Sequence, residues 1–255
     1  MTPENETPYL EAFRDTLAWR YSPSAEIGTV RGPRALARLT RNFAYFEMNR
    51  RRGARVILKD PLALFSADWI ATRFGARVVV VIRHPAGFVA SMRAAGWRMN
   101  FRTFQNQPRL IADRLAPFAE AIASAAARPP DDPIAASALL WNILHHHIAL
   151  LTAEHPEWIF VRHEDLSRDP AAGFEALFAR LGLDFSEPVR ADLWQFTTDQ
   201  AALARLSLFG RARRTMRDSR ASVHAFRQRL DAAEIAAVRE ATSPLWTRFY
   251  DDGDW

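Results

Sequence analysis

Three observations predict an α/β fold built on a short parallel sheet with helices on both of its faces. Apolar runs of strand length at residues 56–58, 78–82 and 158–162 are separated by stretches of helical periodicity. Strands that alternate with helices imply parallel pairing through right-handed crossovers. Residues 78–82 are five consecutive β-branched residues, the composition of a strand covered on both faces. The first two runs also end in charge, Lys59-Asp60 and Arg83-His84, and ligands of open parallel sheets collect outside the carboxyl ends of the strands.

The elements follow in order. Helical spacing is predicted at residues 10–19 and 33–50, joined by a polar loop with Ser22-Pro23-Ser24 and Gly28. The 56–58 strand comes next, then a helix over 64–74 that stops at Gly75, a favourable residue just past a helix end. After the 78–82 strand, Pro85 suits a first helical turn. Residues 105–127 read as one long helix, broken by Arg128-Pro129-Pro130. Asp131 or Asp132 before Pro133 caps a helix running to about Glu154. The 158–162 strand precedes a helix opened by Asp169-Pro170 and closed near Gly182, and Ser186 with Glu187-Pro188 opens another. Asp231 and Glu234 make a capping-box pattern. The tail PLWTRFYDDGDW is aromatic and is expected to pack back on the body. No internal repeat or boundary stands out, so residues 1–255 are read as one domain with added helices.

Composition narrows the function classes. The chain has no cysteine, which excludes disulfides, thiolate metal sites and cysteine nucleophiles. Net charge is +5, and of 34 basic residues only Lys59 is a lysine. That balance suits an anionic ligand without naming it. The arginines are scattered and no recognition module is visible, so nucleic acid is not expected as a partner. His145-His146-His147 are helix neighbours that point in different directions, whereas helical metal pairs need spacing of three or four; no metal is expected. No run is read as the roughly 20 apolar residues of a membrane span. The acidic, polar start lacks the features of a signal peptide. The expectation is a cytoplasmic protein without a membrane span.

Arg83 at a strand end and Ser91 two turns into the next helix admit two readings. A planar guanidinium holds a phosphate through two donors and a hydroxyl adds a third. Alternatively, Arg83 pairs with a carboxylate and Ser91 is a small packing residue.

Lys59-Asp60-Pro61, then Arg83-x-Pro85 with Ser91, then Arg162-x-Glu164-Asp165-Leu166-x-x-Asp169-Pro170 together resemble the sulfotransferases that use 3′-phosphoadenosine-5′-phosphosulfate (PAPS), most closely their bacterial branch. The resemblance runs over nearly the whole chain. It implies a P-loop-like parallel sheet, PAPS as co-substrate with PAP as product, and a small-molecule, carbohydrate or lipid acceptor carrying a hydroxyl or amine. By the same resemblance, Arg83 and Ser91 hold the nucleotide 3′-phosphate and Lys59 reaches the phosphosulfate. His163 stands where relatives place an adenine-contacting tyrosine; it replaces that contact or ends its strand. Arg217, Ser219 and Arg220 fall where relatives carry a basic loop over the 3′-phosphate, with Phe226 at a position often held by tryptophan. The chain departs from the family at its start: no strand followed by a P-x-S-G-T-T-W phosphate loop precedes residue 56. The first strand, half the cofactor cradle and the relatives' glutamate base are therefore expected to be missing, with Asp60 and His84 as substitute bases by position. Asp60 paired with Lys59 and His84 as a helix cap are the open alternatives. Without that loop, a non-catalytic relative that binds nucleotide or a partner protein is the competing expectation.

Overall fold

The computed structural model describes residues 4–28, 30–128, 130, 132–197 and 223–255. They form two compact units, Met1–Ala76 and Arg77–Trp255.

The first unit is helical. Pro8 sits in the first turn of α1 (Thr7–Leu17), followed by α2 (Pro23–Ile27) and the long α3 (Gly32–Arg51). A 3₁₀ turn (Pro61–Ser66) leads into α4 (Ala67–Phe74), which ends as expected at Gly75 with φ of 61°. Phe13, Trp69 and Phe74 pack ring against ring, with centroids 5.2–6.0 Å apart. The buried Glu6 carboxylate accepts a 2.5 Å hydrogen bond from Trp69 Nε1 and pairs with Arg73. Those two bonds, Arg73 first, hold its pKa below the usual carboxylate range.

The strand expected at residues 56–58 does not form. Residues 54–60 carry no regular structure, and Ile57 is 85% and Leu58 40% exposed. The reason is pairing: a strand needs a neighbour to take its N–H and C=O groups, and every regular element of this unit is helical among the described residues.

The second unit carries the sheet. β1 (Val79–Ile82) and β2 (Ile159–Arg162) run parallel, with Val79 opposite Ile159 and Ile82 opposite Arg162. β1 is not covered on both faces, contrary to the sequence expectation. Val80 and Ile82 are buried, but Val81 on the other face is 52% exposed. β1 feeds α5 (Pro85–Ala95), whose buried Ala86, Val89 and Ala90 cluster with Phe226, Leu230 and Val238.

The long helix expected at 105–127 is four pieces: α6 (Arg102–Gln105), α7 (Pro108–Arg114), a 3₁₀ turn (Ala116–Phe118) and α8 (Ala119–Ala127). Pro108 and Pro117 lack an N–H and clash with a preceding turn, so each begins a new element instead of continuing one.

Asp132 accepts from Ile134 N at 2.8 Å and so caps α9 (Pro133–Glu154), the helix at the centre of this unit. α9 is long and apolar enough to cross a membrane by length and composition, contrary to the sequence expectation, yet 56% of its most apolar stretch is buried, as in a core helix. α10 (His163–Arg168), α11 (Pro170–Arg180) and α12 (Glu187–Thr197) follow β2. α13 (Ala232–Ala241) carries the expected capping box between Asp231 and Glu234 and packs on α5 and α9.

Candidate functional site

The parallel register sets the site. Because Ile82 lies opposite Arg162, the residues that leave the strands, Arg83-His84 and His163-Glu164, emerge side by side. Each strand runs almost directly into a helix, so the N-termini of α5 and α10 flank the strand ends and lend them partial positive charge.

The Arg83-His84 turn has no strand neighbour for its backbone groups; side chains supply three of the four partners. Arg83 C=O accepts from Trp141 Nε1 at 2.8 Å, and Arg83 N–H donates to His145 Nε2 at 3.5 Å. His84 N–H donates to Glu164 Oε1 at 3.1 Å, and His84 C=O accepts the first helical bond, from Phe88 N–H, at 2.8 Å. Trp141 and His145 sit four apart on α9, a spacing that stacks them on one face, with rings 4.0 Å apart and 14° from parallel. His145 Nδ1 lies 2.9 Å from Trp141 C=O. Donation from Nδ1 leaves Nε2 as the acceptor that Arg83 N–H requires. Burial lowers the His145 pKa to about 4 and keeps the ring neutral.

The half-buried Arg83 side chain passes close to Gly87 of α5. Its Nε and Glu164 Oε1 each lie 3.8 Å from the point a Cβ on Gly87 would occupy. Ser91, four residues beyond Gly87, shares that face of the helix.

Glu164 is the junction. It is 5% exposed and accepts from His84 N–H and from Tyr250 Oη at 2.8 Å, with His163 Nδ1 at 3.8 Å. Burial alone would raise its pKa; the neighbouring His163 ring and the bonds from His84 N–H and Tyr250 Oη outweigh it and hold the carboxyl at about 2. Tyr250 moves the other way, raised by burial and by the carboxylate beside it. The aromatic tail does pack back. Arg162 binds Asp165 through two nitrogens and Asp254 at 3.0 Å, and its guanidinium lies 5.1 Å over the Tyr250 ring.

His84 does not present itself as a base. Its ring is 1% exposed, stacked on Phe226 at 5.0 Å and met edge-on by Tyr250 and Trp255 at 4.9 and 4.5 Å. Burial lowers its pKa to about 4. The expected substitute base is a packing residue, because three aromatic rings close it off from solvent.

The second unit thus brings together Arg83, His84, His163 and Glu164, with Ser91 one turn beyond Gly87 on the same face of α5. Lys59 and Asp60 belong to the first unit, where both are exposed on the irregular segment and Asp60 C=O starts the 3₁₀ turn by accepting from Ala63 N–H. Arg217, Ser219 and Arg220 lie outside the described residues. Sequence reasoning missed Trp141, His145, Glu164 and Tyr250 as parts of the turn. The first two carried a signal: polar-tipped rings four apart, a spacing that puts them on one helix face. Tyr250 carried none, being 86 residues from its partner.

A family model described as "Sulfotransferase family" matches residues 4–187, a span that includes Lys59, Asp60, Arg83, Ser91 and His163. No curated protein and no solved structure matches the chain.

Proposed function

Because the chain belongs to the sulfotransferase family, we propose that it transfers a sulfuryl group from PAPS to a hydroxyl or amine on a small-molecule, carbohydrate or lipid acceptor. The reaction is an in-line displacement at sulfur. The acceptor oxygen or nitrogen bonds to sulfur as the bridging S–O bond breaks. PAP departs with that electron pair, and the acceptor gives up its proton to a base. Like phosphoryl transfer, such chemistry asks the protein mainly for positioning and charge stabilisation.

In this reading Arg83 and Ser91 hold the 3′-phosphate at the first turns of α5, with His163 beside the adenine. Lys59 neutralises charge on the leaving oxygen. Of the two substitute bases, Asp60 is the candidate kept for the acceptor proton, since His84 is enclosed. One observation carries the reading: a half-buried arginine at a strand end, on the same helix face as Gly87 and Ser91.

Calorimetric titration with PAP tests it. Micromolar affinity is expected, and Arg83→Ala should weaken it by the roughly 1.5–3 kcal/mol of a charged hydrogen bond. A folded sample with no affinity at high micromolar PAP overturns the reading. A second reading, nucleotide binding without transfer, draws on the exposed, irregular setting of Lys59. It predicts PAP affinity with no label moved from PAPS to any acceptor.

A further inference from the structure

We propose that Trp141, His145 and Glu164 are positioning residues for Arg83, which hold the strand-to-helix turn so that its guanidinium meets a nucleotide 3′-phosphate in one orientation. The ligand named here rests on the sulfotransferase reading; the geometry does not.

At a parallel strand end the ladder stops, and the next two residues must find other partners or leave buried polar groups unpaired. Here Arg83 N–H, Arg83 C=O and His84 N–H all go to side chains from outside the turn. Two come from one face of α9 and one from the first turn of α10, just past β2. A turn tied at three points has little freedom in its dihedrals, so the backbone that carries the arginine, and the direction in which its side chain leaves, are set before a ligand arrives. Ordering in advance raises affinity by removing a cost of binding. Chemical polarity supports the assignment: Trp141 offers only a donor and meets a carbonyl, ionised Glu164 offers only acceptors and meets an N–H. His145 is held as the one tautomer that accepts at Nε2.

The test separates positioning from bulk packing. His145→Phe keeps the ring and its stacking on Trp141 but has no acceptor, whereas His145→Gln places an amide oxygen near the position of Nε2. PAP titrations should show the phenylalanine variant at least roughly tenfold weaker, because the turn it leaves untied must then be ordered on binding, and the glutamine variant within about threefold of the parent. Glu164→Gln, which keeps the acceptor for His84 N–H, should likewise retain affinity, whereas Trp141→Phe should lose it. Equal losses in both His145 variants, or affinities that simply follow melting temperature, overturn the inference.

A second readout does not involve PAP. ¹⁵N shifts of the His145 ring should report a protonated Nδ1 and a bare Nε2. The Arg83 amide should exchange slowly in the parent and the glutamine variant and fast in the phenylalanine variant. If the parent binds no PAP while this pattern holds, the sulfotransferase reading fails and the turn assignment stands. A protonated Nε2 or a rapidly exchanging Arg83 amide in the parent sinks the assignment itself.

Discussion

Residues 54–60 and residues 79–84 begin from the same sequence pattern, a short apolar run ending in basic charge, and end in different structures. The second becomes β1 and a turn whose backbone groups are all met. The first is irregular, with Ile57 and Leu58 turned to solvent. Composition separates them only slightly. What separates them is company: Val79–Ile82 has β2 alongside, α9 behind it, and Trp141, His145 and Glu164 at its end. A strand is a property of a pair, and a functional charge at a strand end inherits its order from whatever holds the chain there.

The contrast can be broken most forcefully at Glu164. Glu164→Ala leaves His84 N–H and the Tyr250 hydroxyl buried without their acceptor, and each such loss costs about 1–3 kcal/mol. Urea unfolding followed by tryptophan fluorescence should show a loss of about 3 kcal/mol. A loss under about 1 kcal/mol would mean that the turn is not the ordered region described.

Acid provides a second probe. His84 and His145 have pKa values of about 4 in the folded protein, down from 6.5. The unfolded chain therefore binds protons first as pH falls, and stability present above pH 6.5 is lost on the way to 4. Each histidine should lower stability by about 2 kcal/mol between pH 7.5 and 5. Glu164 acts in the same direction but lower, its contribution being lost only as pH falls from 4.5 towards 2. His84→Phe should thus flatten the pH 5–7.5 stability profile by about half. An unchanged slope would show that the ring is solvated.

The smallest expected effect sharpens the other side of the comparison. Ile57→Ser, at a side chain 85% exposed, should change stability by no more than about 0.5 kcal/mol. A cost above about 2 kcal/mol would place this segment in a packed environment and remove the contrast.

Much of the fold was readable because its signals are local. Asp132, Asp169 and Asp231 each cap the helix that follows, with side-chain oxygens on backbone N–H groups two or three residues on. Gly75 and Gly182 take positive φ, as residues past helix ends do. Pro108 and Pro117 were equally local, and their power to divide the 105–127 stretch outweighed its apolar periodicity. Arg83 and Ser91 were legible from spacing. The clamp around the turn was not, since its members come from positions 58 to 80 residues away.

By itself, then, the sequence determined where helices start and stop, which residues are β-branched enough to pair, and the order of motifs that marks the family. Only the tertiary structure decided which apolar runs became strands, that His84 is enclosed by aromatic rings, and that a tryptophan, a histidine and a glutamate hold the arginine turn. The physical reason is range. Caps, prolines and glycines act through bonds a few residues long, whereas strand pairing, burial and the pKa values that follow from it depend on groups the chain brings together from afar.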